Sequence, residues 1–260
     1  MNTRLIGFFL LLLSVVGWHA CQSPSSQPTS EHTTADTLAL VDTSRSQMTE
    51  LVEALKPDTT DLERTLIAQG LVSISSVAPD IVEQIMYSTE DNFLDADVYG
   101  DFDACYLQPN IAAQLAEVQA CIKLRDSRMS LVVFDCVRPR SVQFQMWEIV
   151  KGTDQQNYVA PPTFGGSMHN YGAAVDLGLI HLDTGLVDMG TPFDYFGKLA
   201  QPRHEEAFLK SGELSAEQIS NRRYLRACML KAGFHGILSE WWHFVGRPNK
   251  EVRQTYQIVE

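Results

Sequence analysis

His169 and Asp176 stand seven residues apart in GGSMHNYGAAVDLGLI, residues 165–180. Both side-chain types ligate metals and move protons. The histidine is delivered by a glycine-rich stretch, and the aspartate sits inside an apolar run. Ala173 to Ile180 reads as a strand, with Val175, Leu177 and Leu179 on one face and Asp176 on the other, beside Ala174 and Gly178. A carboxylate there is costly unless it is paired or bound to metal. Taken alone, the pair is better read as a salt-bridged aspartate and a loop histidine.

A second group appears near the end of the chain, Ser239-Glu240-Trp241-Trp242-His243-Phe244. His169, Asp176 and His243 together make a mixed nitrogen and oxygen set that suits Zn2+, with a fourth position left for water. Glu240 then has a task of its own: a carboxylate beside an activated water takes its proton and passes it to a leaving amine. Residues three apart on a strand face opposite ways, so Glu240 and His243 need a local turn between them. On its own the segment would be a core strand with a satisfied histidine. A third group is Phe134-Asp135-Cys136-Val137-Arg138-Pro139-Arg140. Pro139 holds Arg138 extended at the end of a buried strand. A fixed guanidinium there could stabilise an oxyanion, or simply pair with a surface acid.

The elements that must position these groups read as an α+β alternation. Thr60 to Gln69 is a short helix stopped by Gly70. Pro109 opens a helix with Ile111, Leu115, Val118 and Ile122 on one stripe. Leu131 to Phe134 is a buried strand. Ser141 to Lys151 is helical, with Val142, Met146, Ile149 and Val150 inward and Gly152 as its stop. Ser215 and Gln218 form a capping box for a helix that runs to Gly233. Ile237 to Val245 is a last apolar, strand-like run. No βαβ repeat or repeat of solenoid length is present, which favours α+β over a doubly wound sheet.

Together these stretches resemble the D-alanyl-D-alanine dipeptidase family, the VanX-like branch of the LAS/M15 zinc peptidases. The resemblance rests on MYSTEDNF (Met86–Phe93), VYG (Val98–Gly100), CYLQP (Cys105–Pro109), FDCVRPRSVQ (Phe134–Gln143), SMHNYGAAVDL (Ser167–Leu177), DMGTPFD (Asp188–Asp194) and SEWWHF (Ser239–Phe244). It implies one domain of LAS/Hedgehog type, with a small, mainly antiparallel sheet flanked by helices. It implies one Zn2+ held by His169, Asp176 and His243, Glu240 as catalytic acid and base, and Arg138 on the tetrahedral intermediate. It also implies that Asp194 holds the free ammonium of a dipeptide, with Tyr87 and Ser167 lining that subsite. Locally, Asp194 could equally be a helix N-cap before Tyr195-Phe196-Gly197. The implied activity is hydrolysis of free D-Ala-D-Ala-type dipeptides in cell-wall peptide turnover. The alternatives are a D,D- or L,D-carboxypeptidase trimming stem peptides and a non-catalytic zinc-stabilised binding domain. Asn170-Tyr171 stands where the family usually has Ser-Arg, which alters the loop beside the metal.

The amino-terminal end points to export, whereas familiar members work in the cytoplasm. Arg4 precedes the apolar run Leu5 to Val16, too short to span a membrane but suited to a signal segment. Ala20-Cys21 resembles the cleavage point of a bacterial lipoprotein, although Trp18 replaces the usual aliphatic residue. The expected plan is a signal over 1–20, a Ser/Thr/Pro-rich tether over 21–60 lipidated at Cys21, and a catalytic domain over 61–260. The location follows: a lipoprotein held on the membrane of the bacterial cell envelope. Loss of residues 1–20 leaves 19 basic against 32 acidic residues and no basic patch, which argues against nucleic acid. No protein partner is expected. Cys105, Cys121, Cys136 and Cys228 form no CxxC pair, and buried free thiols are the expectation in a compartment that permits disulfides.

Overall fold

A computed structural model describes residues 60–163 and 165–260. The expected signal, lipidation site Cys21 and tether lie outside these residues, apart from Thr60. Thr60 caps helix α1 (Asp61–Ala68) through a capping box with Glu63. Then follow β1 (Val72–Ser73), the single turn α2 (Ile74–Val77), β2 (Val82–Glu83) and β3 (Tyr106–Leu107). Pro109 opens α3 (Pro109–Lys123), whose Ile111, Leu115, Val118 and Ile122 are buried as their spacing predicts. The centre of the molecule is β4 (Met129–Asp135), buried at every position, followed by α4 (Arg140–Val150).

Strand β5 (Ala174–His181) carries a short hairpin to β6 (Gly185–Leu186). Helices α5 (Glu205–Ser211) and α6 (Ala216–Lys231) follow; Ser215 and Gln218 cap α6 reciprocally. The chain closes with β7 (His235–Gly236), β8 (His243–Val245) and α7 (Asn249–Thr255). The main sheet has the order β2-β4-β5-β8-β7, with β6 also on β5. Only β2 and β4 run parallel; the other pairs are antiparallel. β1 and β3 form a separate antiparallel pair. This is the expected α+β domain, and none of its described helices is long and apolar enough to cross a membrane.

Three expectations are corrected. Ile237 to Val245 is not one strand: residues 237–242 are irregular, and only His243–Val245 is in the sheet. The apolar signal came from Trp241 and Trp242, which are buried as packing residues. In α4, Ile149 points to solvent and Gln143 is buried in its place, because Gln143 is needed for polar contacts described below. The four cysteines are not free thiols. Cys105 joins Cys136, and Cys121 joins Cys228, with Cα separations of 5.3 and 5.8 Å that suit the bond.

Candidate metal and catalytic centre

The register of three neighbouring strands builds the site. Asp135 of β4 pairs with Asp176 of β5, and Asp176 pairs with His243 of β8. Side chains directly opposite on adjacent strands lie within reach of one another. Asp176 and His243 meet at 2.9 Å, Oδ1 to Nδ1. On the same face of β5, Gly178 makes room for packing: a Cβ there would lie 3.1 Å from Phe134 and 3.5 Å from Trp241.

His169 arrives from a 3-10 turn, Met168–Tyr171, closed by Gly172 in the left-handed region at φ 61°. That glycine turns the chain into β5, and a side chain on it would meet Leu71 at 2.7 Å. The imidazole Nδ1 lies 2.6 Å from the Cys136 carbonyl. A carbonyl only accepts, so Nδ1 carries a proton and Nε2 is the nitrogen left to ligate. Nε2 faces His243 Nδ1 at 3.2 Å and Asp176 Oδ2 at 3.4 Å. Four ligands at tetrahedral Zn2+ distances of about 2.0–2.1 Å would sit about 3.3 Å apart. The observed separations, 2.9 to 3.4 Å with each imidazole facing a different Asp176 oxygen, lie near that spacing, and the donors are two imidazole nitrogens and one carboxylate. The residues therefore fit a divalent cation. Burial alone would raise the Asp176 carboxyl, but His169 and His243 hold it well below the usual carboxylate range. His243 is pushed up despite its burial, by the bond to Asp176 and that charge.

The eight expected site residues other than Cys21 all line one cavity of about 170 Å3. The irregular segment 237–242 supplies the turn that Glu240 needed, so Glu240 and His243 open onto the same space. Burial raises the Glu240 carboxyl above its ordinary value, while the neighbouring His243 pulls it back. A raised value makes it a better proton acceptor than an exposed glutamate.

Arg138 leaves the end of β4 as the Pro139 argument predicts, but it pairs inward. Its guanidinium donates to Asp135 through Nε at 3.1 Å and through Nη2, and through Nη1 to Gln143 at 3.1 Å. Asp135, fully buried, also accepts from Tyr99 at 2.6 Å. Both Arg138 bonds to Asp135 end on Oδ2, a forked grip that leaves the guanidinium facing the cavity. Sequence reasoning passed over Asp135, Tyr99 and Gln143. The only signal was an acid three residues before the arginine.

Asp194 is not a helix cap; no helix starts at Tyr195, and the next 3-10 turn begins at Lys198. It is held at φ 60°, where few residues other than glycine sit. Its carboxylate accepts from the Tyr87 hydroxyl at 3.2 and 3.1 Å. The residue is half-buried, and its carboxylate turns inward onto buried Tyr87. Burial and the Asp176 charge push the Asp194 carboxyl well above the usual range, against the Tyr87 bond that lowers it. Burial also pushes the Tyr87 phenol well up, so Tyr87 remains a donor. Ser167 caps the 3-10 turn: its hydroxyl accepts from the His169 N–H at 3.3 Å. Asn170 ties the turn to the neighbouring strip of chain. Its amide donates to the Arg138 carbonyl at 2.7 Å and accepts from the Ser167 N–H at 2.7 Å.

These side chains lie on segments shared with known proteins. The D-alanyl-D-alanine dipeptidase of Escherichia coli (strain K12) is 31% identical over 174 residues, which cover 67% of this chain and 83% of that relative. The D-alanyl-D-alanine dipeptidase of Enterococcus faecalis is 30% identical and covers 61% of this chain and 82% of its own length. That of Enterococcus faecium is 40% identical over 82 residues, 31% of this chain and 37% of the relative. The family model described as D-ala-D-ala dipeptidase matches residues 67–260, a span that holds every residue of the cavity. The chain belongs to the D-ala-D-ala dipeptidase family of peptidases.

Proposed function

We propose that this protein is a zinc-dependent dipeptidase that hydrolyses free D-Ala-D-Ala-type dipeptides to D-alanine. The observation that carries the proposal is the His169–Asp176–His243 cluster at ligand spacing, in one cavity with Glu240, Arg138 and Asp194. The names of the relatives supply the substrate class.

His169 Nε2, one Asp176 oxygen and His243 Nδ1 would hold the ion. When bound, Zn2+ supplies Lewis-acid polarisation of the scissile carbonyl and acidifies a water. Glu240 takes the proton of the attacking water and returns it to the leaving amine as the C–N bond breaks. Arg138, fixed by Asp135 and Gln143, donates to the oxygen on which negative charge develops. At the far end, Asp194 and the Tyr87 hydroxyl receive the substrate ammonium, which provides the counter-charge the Asp194 carboxylate lacks. An acylated amine brings no charge and leaves that buried acid unpaired, so the site selects free dipeptides.

Export and lipidation at Cys21 belong to the same proposal. The two disulfides support it, because such bonds persist in oxidising compartments. Hydrolysis in the envelope fits dipeptides released during wall turnover.

The test pairs metal analysis with a substrate panel. One Zn2+ per chain and rapid release of D-alanine from D-Ala-D-Ala, but not from its N-acetylated form, is the expected result. Preference for the blocked substrate would establish the carboxypeptidase alternative instead. Binding without hydrolysis of either would leave only a zinc-stabilised binding domain. In Asp194→Asn the free dipeptide loses its advantage, with the ion retained.

A further inference from the structure

The arrangement around His169 raises the question of what holds its orienting partner, and the answer rests on the metal reading above. His169 is aimed by its Nδ1–H bond to the Cys136 carbonyl. Cys136 lies just beyond β4. The β4–β5 register shifts between Val133 and Asp135, and the last pair is Asp135 with Asp176. The sheet ladder therefore stops one residue short of the carbonyl that matters. Past that point Cys136 is tied to Cys105 by a disulfide, and the Val137 N–H donates to the Tyr106 carbonyl at 3.2 Å. The anchoring residue is itself well fixed. The Cys105 N–H donates to Glu83 at 2.6 Å, and its carbonyl accepts from the Ile74 N–H at 2.8 Å. On the other side, the Arg138 N–H donates to the His169 carbonyl at 3.1 Å. Three strips of chain, 105–107, 136–138 and 168–170, are thus laid side by side. The disulfide is the covalent tie between the first two.

We infer that the Cys105–Cys136 disulfide is a positioning element of the site, holding the carbonyl that orients His169 together with the turn that carries Arg138. Both cysteines are buried, so it is a standing fixture and reductants reach it slowly. The second disulfide is a built-in control. It joins α3 to α6, neither of which lines the cavity. It spans 107 residues against 31, so it constrains the unfolded chain more. The two bonds should therefore rank oppositely for stability and for the site.

The experiment compares the full chain, Cys105→Ala/Cys136→Ala and Cys121→Ala/Cys228→Ala for Zn2+ affinity by chelator competition, kcat, and urea midpoint. Cys105→Ala/Cys136→Ala keeps the carbonyl at 136 but frees it to shift, and should weaken Zn2+ binding by up to the roughly 10- to 100-fold that follows outright loss of such a partner. Its kcat should fall as well. Cys121→Ala/Cys228→Ala should lose more stability with Zn2+ affinity and kcat unchanged. Equal Zn2+ affinity and kcat in Cys105→Ala/Cys136→Ala and wild type would overturn the inference, as would an equal shift in the control. Should the variant not fold, the wild-type chain is reduced with a trialkylphosphine. The phosphine takes the oxygen of one water, and the two sulfurs take its protons as thiols. Zn2+ affinity, read by chelator competition, must then fall in step with loss of the Cys105–Cys136 bond, counted by mass; an unchanged affinity in the reduced chain overturns the inference. A wild-type chain that binds no divalent ion sinks the metal reading and this inference together, an outcome distinct from the others.

Discussion

Asp176 on β5 stands opposite His243 on β8, and the carboxylate and imidazole meet at 2.9 Å. A buried and a half-buried imidazole converge here on one buried carboxylate. His243→Ala and His169→Ala should each lose stoichiometric Zn2+, read by elemental analysis after dialysis. Asp176→Asn keeps the shape and removes the charge, so it should weaken the ion by orders of magnitude while the domain still folds. Full occupancy in any of the three would remove that residue from the ligand set.

Glu240 separates binding from chemistry. It lines the cavity but is not part of the ligand cluster. Glu240→Gln should therefore retain the ion and lose turnover by several orders of magnitude, since both proton transfers depend on this group. A variant that lost its Zn2+ would place Glu240 among the ligands instead.

Arg138 requires a more careful substitution. Its guanidinium neutralises Asp135, which has no exposed surface. Arg138→Ala strands that carboxylate, with an expected stability cost of about 3–5 kcal/mol, and its kinetics would mix two effects. Arg138→Lys keeps the charge but loses the two-pronged grip. It should fold, with kcat lowered on the order of 100-fold and KM little changed. Raised KM with unchanged kcat would make Arg138 a substrate anchor.

What the sequence made legible follows from local chemistry. The caps at Thr60 and Ser215, Pro109 at the start of α3 and the apolar run Leu131 to Phe134 in β4 are all written in neighbouring residues. The strands of two residues, β1, β2, β3, β6 and β7, are too short for any periodicity to show. The row Asp135, Asp176 and His243 depends on pairing between strands far apart in the chain, and pairing leaves no local trace. For the same reason the cysteines could not be matched: Cys105 and Cys136 are 31 residues apart on segments brought together only by the fold. SEWWHF misled as a strand because its tryptophans are apolar for packing. The expected residues that line the cavity were named through motifs, whereas Asp135, Gln143 and Tyr99, which pair with Arg138 or its partner, were not.

Glu83 gives a test of the fold away from the ion. Its carboxylate accepts the Cys105 N–H at 2.6 Å. Burial raises its pKa above the ordinary value despite that bond, and the Asp103 and Glu63 charges add to the rise. The folded chain thus holds a proton that the unfolded chain has released at about pH 4.3. The stability this provides is complete below the unfolded value and is lost as pH rises through the folded one. Glu83→Gln does not titrate and still offers an oxygen to Cys105. The urea midpoint of Glu83→Gln minus that of wild type should therefore grow between pH 4 and pH 7. A difference that stays flat or shrinks over that window would show that burial at Glu83 does not disfavour its charge.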